Sequence, residues 1–451
     1  MPPVTPADLA KIGTFPFVVV AWVDDAGYPV SVATEFEADP ASGTLTLRSP
    51  AGDELAIPTD RQVNVIGSHI RPQPGIGYDE RRYLQLWGTV APAGEGQLRY
   101  TPDRAWGWDE AEMPFFEYSE RSVPQSRRYL AQLSVEQGRE VKPRLDRFWL
   151  FLRTTRLPFI SATAVPVLLG IAVAASDGAF TWWTALLTLI GAFFAHLGIN
   201  VSNDVFDTLS GADDANVNPT QFSGGSRVAV YGLLTIRQLV ALSAALFGVA
   251  AIIGLLLVWI TGSPILLWIG IAGIVVGLAY TMPPLKLVYR GLGEIAVFLG
   301  FGPIMLLGAY VVQTGRLAWE PLVASIPVGI LVALILYVNE IPDRAGDASA
   351  GKRTLPVRLP ASTVQAGYLA GALLAFAVIA AGVAGGVLPW PTLVALLAVP
   401  MALRIHRGIR ANYDSPYTLM AVMGQNVNLN LVVGGLLLAG YAVTLVITAL
   451  T

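Results

Sequence analysis

Cysteine is missing from this sequence, and charged residues are scarce for its length. Without cysteine the chain has no disulfide, no thiolate nucleophile and no cysteine-ligated metal. Charged residues make up 14% of the 451 positions, whereas an ordinary soluble domain carries about 25%. Hydrophobic residues reach 54%, and the mean hydropathy is +0.56. This balance is typical of a membrane protein.

Further absences narrow the classes of function. The net charge of −3 and the lack of a basic patch interleaved with aromatic residues argue against a nucleic-acid partner. No Gly-x-x-x-x-Gly-Lys loop is present, which disfavours a nucleotide substrate. The N-terminus has no basic region before an apolar core, so we expect no signal peptide and a cytoplasmic N-terminal domain.

Apolar residues are distributed unevenly along the chain. Residues 1–146 contain many Asp, Glu and Arg and no apolar run long enough to cross a bilayer, whereas such runs dominate everything after Trp149. The sequence therefore predicts a multidomain protein. A small soluble β-barrel occupies residues 1–146, and an all-α membrane domain of about nine transmembrane helices occupies residues 147–451.

The first domain reads as short strands separated by turns. Residues 15–23 are rich in β-branched and aromatic residues and end in a hairpin turn, and residues 44–48 alternate with period two. Such strands favour a small antiparallel barrel. Their order, with the hairpin at residues 25–29 and the strand end at residues 86–88, resembles the split-barrel fold of pyridoxamine-phosphate-oxidase-like proteins.

This resemblance implies FMN or a deazaflavin as a bound cofactor. His69, Arg71, Arg81 and Arg82 could then hold a flavin phosphate, because the guanidinium fork suits phosphate oxygens. The alternative is that these residues are surface charges and a packed imidazole.

The second domain contains a series of apolar runs, each near the ~20 residues that cross a hydrocarbon core. The basic residues of the short loops between them fall almost entirely on one side, which predicts that this side is cytoplasmic and the C-terminus outside. We expect a multi-pass protein of the cell (inner) membrane. The predicted spans are residues 157–176, 182–202, 236–260, 264–281, 294–312, 321–339, 364–387, 390–404 and 428–449.

Two acidic motifs stand at the ends of the second and sixth predicted spans, over residues 203–214 and 339–347. Carboxylates three or four positions apart share one helix face. Two such faces would offer the oxygen ligands that Mg²⁺ takes beside substrate phosphates. The alternative is a pair of solvated loops with turn-forming Asp and Asn, and each motif is expected to begin a cytoplasmic loop.

Cationic residues accompany the acidic motifs on the same predicted face. Lys and Arg beside Mg²⁺ would suit a diphosphate, because they neutralise the charge of the leaving group. The alternative is mutual salt bridging. Nearby tyrosines could attract an allylic carbocation or belong to the aromatic belt of the interface. The cations are Arg227, Lys286, Arg290, Lys352 and Arg353, and the tyrosines are Tyr280, Tyr289 and Tyr337.

Both motifs resemble those of the UbiA superfamily of intramembrane prenyltransferases. Asn203-Asp204-x-x-Asp207 is similar to the first Asp-rich motif of that family, and Asp343-x-x-x-Asp347 to the second. The resemblance covers roughly residues 150–450. Stretches similar to the branch that prenylates 1,4-dihydroxy-2-naphthoate in menaquinone synthesis are residues 155–158, 223–227, 289–294, 301–303 and 351–359.

The resemblance implies roles for the matching residues, with two departures. Gly211 stands where many members carry the last acid of the first motif, and Tyr280 and Lys286 do not meet the family's Tyr-x-x-x-Lys spacing. The implied metal ligands are Asp204, Asp207, Asp213, Asp343 and Asp347, of which all but Asp213 are also assigned to catalysis with Lys286. The implied substrate contacts are Asn203, Arg227, Tyr280, Arg290, Asn339, Lys352 and Arg353.

The expected function is Mg²⁺-dependent transfer of a polyprenyl group from its diphosphate to an aromatic acceptor, within the lipid bilayer. The resemblance favours 1,4-dihydroxy-2-naphthoate and leaves open 4-hydroxybenzoate, homogentisate, haem, chlorophyllide or glycerol phosphate. A flavin-dependent reductase in the first domain is a further alternative. A transporter is disfavoured because the predicted spans are nearly free of charge and the acids cluster at one end.

Overall fold

The computed structural model describes residues 2–49, 56–72, 78–94, 96–216, 218–220 and 222–450. The chain forms two compact units, Met1–Arg121 and Ser122–Thr451. The division lies inside the helix Phe115–Glu136. The predicted domain boundary after residue 146 stays a prediction.

The first unit is built on a seven-stranded antiparallel sheet that follows the short helix α1 (Pro6–Ile12). The strands are β1 (Val18–Val23), β2 (Pro29–Thr34), β3 (Phe36–Asp39), β4 (Thr44–Arg48), β5 (Val63–Pro72), β6 (Tyr78–Gly94) and β7 (Gln97–Asp109). Their order in the sheet is β2-β1-β5-β6-β7-β4-β3. The expected strand-rich N-terminal domain is therefore confirmed.

Alternation along the strands sets the core of this unit. In β4 the side chains of Leu45 and Leu47 are fully buried, while the intervening Thr46 is half-buried. Successive side chains of a strand point to opposite faces of the sheet, so a period of two directs one face inward. The same rule places Val18 and Val20 of β1 in this core.

The second unit is helical. Its helices are α2 (Phe115–Glu136), α3 (Arg147–Thr155), α4 (Ser161–Ser176), α5 (Trp182–Ser210), α6 (Ala212–Ala215), α7 (Ile236–Thr261), α8 (Pro264–Ala279), α9 (Gly293–Leu299), α10 (Met305–Thr314), α11 (Trp319–Ser349), α12 (Leu355–Arg358), α13 (Ala361–Ala384), α14 (Val399–Asn412) and α15 (Pro416–Leu450). A π-helical turn, Gly300–Ile304, joins α9 to α10, and the 3₁₀ helix Trp390–Ala398 leads into α14.

All the predicted spans coincide with helices, but the count of nine spans is not confirmed. Within the described residues, seven helices are long and apolar enough to cross a membrane. The two others, α4 and α8, have 16 residues each. At 1.5 Å per residue they reach ~24 Å, which is short of a ~30 Å hydrocarbon core.

The acidic motifs lie on helices and not in loops, which corrects the sequence interpretation. The prediction ended the second and sixth spans at residues 202 and 339, whereas α5 continues to Ser210 and α11 to Ser349. Pro342 lies inside α11 without ending it. Gly211, with φ of 78°, ends α5 in the left-handed conformation that favours glycine.

Helix α11 is the centre of the membrane unit. About 72% of its most apolar window is buried, a larger share than in the six other long apolar helices of the described chain. It packs against α9, α13 and α15. Helix α4 packs against α10, and at Gly170 the two backbones approach so closely that a Cβ atom would overlap the carbonyl oxygen of Leu306.

Replacing Gly170 with alanine should therefore destabilise the protein. The added methyl group meets the backbone of α10, and overpacking of this kind costs about 1–3 kcal/mol. Gly248→Ala in α7 is the matched control, because nothing lies within 4 Å of its Cβ position and alanine favours a helix by about 1 kcal/mol. Thermal unfolding in detergent should show a lower Tm for Gly170→Ala alone. Equal melting of the two variants would contradict this packing.

Candidate active site

The structure brings the two acidic motifs together through one lysine. The ammonium of Lys352, which follows α11, lies 3.6 Å from an oxygen of Asp207 on α5 and 3.7 Å from an oxygen of Asp347 on α11. Burial alone would lower the pKa of Lys352. The two carboxylates outweigh this effect and raise the pKa well above its ordinary value. A single cation thus joins one carboxylate of each motif.

Tyr289 completes the surroundings of Asp207. Its hydroxyl donates a hydrogen bond of 2.8 Å to Asp207 Oδ1. The ammonium groups of Lys286 and Lys352 lie 4.9 and 5.6 Å from the centre of its ring. The tyrosine whose ring lies beside Lys286 is therefore Tyr289.

Asp204 is only 2% exposed, and the protein itself occupies its oxygens. Arg156 Nη2 donates to Asp204 Oδ1 at 2.8 Å, and the backbone N–H of Ser226 donates at 3.2 Å. Removing one member of a buried ion pair costs about 3–5 kcal/mol, because the remaining charge is left without a partner. Asp204 therefore holds two segments against α5, namely Arg156, which follows α3, and the loop 223–227.

The loop 223–227 connects the two motifs through its backbone. The N–H of Gly224 donates to Asp343 Oδ2 at 2.9 Å, while the N–H of Ser226 donates to Asp204. Gly225 stands between them with φ of 74°, and a Cβ there would lie 2.8 Å from Asp213 Oδ1. Only glycine permits both the conformation and the close approach.

Asp213 and Asp343 are also held by neighbours in this loop region. Asn216 donates to Asp343 Oδ1 at 2.8 Å. Arg227 donates to the carbonyl oxygens of Asp213 and Asn216, so its guanidinium supports the loop. Burial, together with the charges of neighbouring aspartates, raises the pKa of Asp213 to about 8.

The remaining predicted contacts fall into two groups. Asn203, Tyr280 and Asn339 line the cavity that adjoins the site, and Asn339 Oδ1 is buried without a hydrogen-bond partner. Arg290 and Arg353 are exposed, and Arg290 donates to the backbone oxygen of Pro284. The first group faces the cavity, where a substrate would lie. The second group lies at the surface of the membrane unit, where it could contact a charged group.

The cavity has a volume of about 540 Å³ and walls that are almost entirely apolar. Residues of α5, α7 and α8 supply most of these walls, and Phe159, Phe222 and Phe301 contribute aromatic rings. Polar groups gather where the cavity meets the ends of α5 and α11. An apolar tail with one charged end fits this arrangement.

The donor set fits Mg²⁺ shared with a substrate. Among the described residues no three His, Asp or Glu side chains converge closely enough to hold a metal alone. However, Asp207 and Asp347 face the same cation, and Asp347 Oδ2 is buried without a partner. Mg²⁺ commonly takes one or two carboxylates and completes its shell with water and phosphate oxygens. Asp207, Asp347 and the adjacent Asp213 would hold it.

Comparison with known proteins identifies the membrane unit. The model of the UbiA prenyltransferase family matches residues 163–421 of the 451. The chain belongs to the UbiA prenyltransferase family. The expected class, a membrane-embedded prenyltransferase, is confirmed.

Several relatives within the family carry specific names. The 1,4-dihydroxy-2-naphthoate octaprenyltransferase of Mycobacterium tuberculosis is 35% identical over 54% of this chain and 81% of its own length. The 2-carboxy-1,4-naphthoquinone phytyltransferase of Synechocystis is 30% identical over 65% and 92%. A UbiA homologue of Archaeoglobus fulgidus, solved with GPP and Mg²⁺, aligns with 64% of this chain and 99% of its own at 13% identity and a TM-score of 0.45.

The UbiA family match leaves the first unit uncovered, and there the predicted flavin residues do not form one pocket. Arg81 and Arg82 are neighbours on β6 and point to opposite faces. Arg81 pairs with Glu110 and covers the ring of Phe115, whereas Arg82 lies over the ring of Phe15. A third predicted residue, His69, is 3.4 Å from Glu80, which also pairs with Arg71 at 3.1 Å.

Sequence reasoning gave no site role to several residues that build the site. Arg156 was taken only as a charge before the first span and as part of a motif, yet it pairs with Asp204. Asn216 carried no signal, because its contact to Asp343 depends on the loop conformation. Tyr289 was considered only for its aromatic ring, whereas in the structure its hydroxyl bonds Asp207.

Replacing Asp207 with asparagine should lower prenyl transfer by about tenfold or more when Mg²⁺ is limiting. The change removes the anionic oxygen that faces Lys352 while keeping the size of the side chain. Asp214→Asn is the control, because Asp214 is an exposed carboxylate of the same motif. Product formation in membranes, titrated against Mg²⁺, measures both variants. Transfer at the parent rate by Asp207→Asn would contradict this role for Asp207.

Proposed function

We propose that the protein transfers a polyprenyl group from polyprenyl diphosphate to 1,4-dihydroxy-2-naphthoate. The observation that carries this proposal is the meeting of both acidic motifs, through Lys352, beside an apolar cavity. The named relatives from Mycobacterium tuberculosis and Synechocystis support a naphthoate-type acceptor.

The diphosphate would lie at the polar end of the cavity. Mg²⁺ would supply charge neutralisation for the departing diphosphate. Lys352 and Lys286, both close to the ring of Tyr289, add fixed positive charge, so the leaving group meets a site prepared for its charge. Asp204 and Asp343, already bonded to the loop 223–227, keep the helix ends from moving apart.

The reaction breaks the bond between C1 of the prenyl group and oxygen, and the electron pair leaves with the diphosphate. The ring of the acceptor attacks the resulting allylic cation, and loss of the carboxyl group as CO₂ returns an electron pair to the ring. Tyr280 lines the cavity and presents an aromatic ring to this cation, whereas Tyr337 is buried and bonded to Val364. Of the three tyrosines considered from the sequence, Tyr280 therefore suits this role.

The membrane placement belongs to the same proposal. The basic residues of the short loops support a cytoplasmic position, at the cell membrane, for the ends of α5 and α11. The flavin or deazaflavin expected for the first unit stays outside the proposal, because Arg81 is already neutralised by Glu110 and Arg82 lies on the opposite face of its strand.

An assay of the purified protein with one polyprenyl diphosphate and a panel of aromatic acceptors tests the proposal. We expect prenylated product from 1,4-dihydroxy-2-naphthoate, with release of CO₂, and loss of product when Mg²⁺ is chelated. Restoring Mg²⁺ should restore the product, which controls for damage by the chelator. Product from 4-hydroxybenzoate or homogentisate alone would overturn the assignment of the acceptor. If none of the acceptors gave a product, the proposal as a whole would be overturned.

A further inference from the structure

One buried histidine of the membrane unit has no role in the site described above. His196 lies in the middle of α5 and is 5% exposed, yet it lines the same cavity as Asn203 and Tyr280. A polar ring in an almost entirely apolar wall is costly unless its nitrogens find partners. Its position therefore calls for a partner from the protein or from a ligand.

The protein satisfies only one of the two ring nitrogens. His196 Nδ1 lies 2.6 Å from the hydroxyl oxygen of Thr163 on α4. The edge-to-face contact with Phe301, at 5.0 Å between ring centres, fixes the plane of the imidazole. For Nε2 the described part of the chain provides no hydrogen-bond partner. This nitrogen is left for a ligand in the cavity.

The same helix face connects His196 to the diphosphate site. His196, Asn200, Asn203 and Asp207 follow one another at helical spacing, so they form a single stripe along α5. Asp207 marks the diphosphate end, and at 1.5 Å per residue His196 lies ~16 Å further along the helix axis. Asn200 and Asn203 line the cavity between these two positions, so the polar face of α5 leads from the diphosphate end to His196.

The surroundings of His196 suit an aromatic, polar molecule more than a hydrocarbon tail. Phe301 touches the histidine, and Phe159 and Phe222 line the same cavity. Arg156 also lines the cavity, but its guanidinium is bound to Asp204. Aromatic faces and the unused Nε2 of His196 would stabilise a hydroxylated ring, whereas a prenyl tail would leave Nε2 unpaired.

We propose that His196 is a specificity-determining residue that binds a ring hydroxyl of the aromatic acceptor through Nε2. Thr163 acts as a positioning residue, because its bond to Nδ1 fixes the orientation of the imidazole. This inference rests on the proposed function, since it names the residue that selects the acceptor. A site built to bond a hydroxyl discriminates strongly against a ring that lacks it.

Steady-state kinetics of His196→Leu test the inference, with KM measured separately for the two substrates. We expect the KM for 1,4-dihydroxy-2-naphthoate to rise about tenfold or more, because a buried hydrogen bond to the substrate is lost. The KM for polyprenyl diphosphate should change less than about twofold, which also shows that the variant is folded. His196→Gln should recover part of the acceptor affinity.

Two further variants separate recognition from structure. His406→Gln alters another histidine of the membrane unit that does not line the cavity, and it should leave both KM values unchanged. Thr163→Val should raise the KM for the acceptor alone, since it releases the imidazole without removing it.

The possible outcomes distinguish this inference from the proposed function. A rise in the KM for polyprenyl diphosphate with an unchanged acceptor KM would overturn the inference and place His196 along the tail. Unchanged values for both substrates would overturn it as well. In both cases the unaltered protein still prenylates the naphthoate, whereas failure of the unaltered protein would overturn the proposed function itself.

Discussion

The ammonium of Lys352 between Asp207 and Asp347 is the interaction on which the site depends. Buried carboxylates repel one another and lose hydration, so two helices that carry them would not end side by side without compensation. Lys352 supplies a positive charge at 3.6 and 3.7 Å from the two acids. Arg156 does the same for Asp204. Lys352 and Arg156 thus match the buried acids Asp347 and Asp204 with positive charge.

The loop 223–227 supplies the rest of the compensation without adding charge. Two of its backbone N–H groups point at acids from different motifs, one at Asp204 and one at Asp343. In this arrangement Gly224 and Gly225 have positive φ, and the amides of Gly224 and Ser226 both face acids. The glycine pair therefore serves the acids directly, and the loop sequence and the two helix ends form one structural unit.

Local patterns predicted much of this fold and site. Apolar runs located the helices, and the three- and four-residue spacing of aspartates placed them on common faces. Partners distant in sequence could not be predicted in this way. The bond from Asn216 to Asp343 and the pair of Arg156 with Asp204 depend on how the helices pack. The continuation of α11 past residue 339 depends on packing as well, because Pro342 inside the helix costs one backbone hydrogen bond.

In the first unit the sequence suggested that neighbouring arginines share a phosphate site, whereas strand geometry separates their side chains. Arg81 and Arg82 are adjacent, and adjacency on a helix or loop could have served one phosphate. On β6 the alternation of side chains sends them to different faces, where one meets Phe115 and the other Phe15.

The position of the charged site beside an apolar cavity has a chemical consequence of its own. The walls that hold a hydrocarbon tail also exclude water, and electrostatic interactions in such a region are stronger than in solution. Lys352 and the acids around it act in that region, so their arrangement must be fixed before the substrate arrives.

Few polar side chains interrupt the apolar wall beyond the diphosphate end, and His196 is one of them. A hydrocarbon tail forms no hydrogen bond with such a group, whereas a hydroxylated ring does. The cavity thus distinguishes its two substrates by where it places polarity, with charge for the diphosphate and a neutral hydrogen-bonding group for the ring.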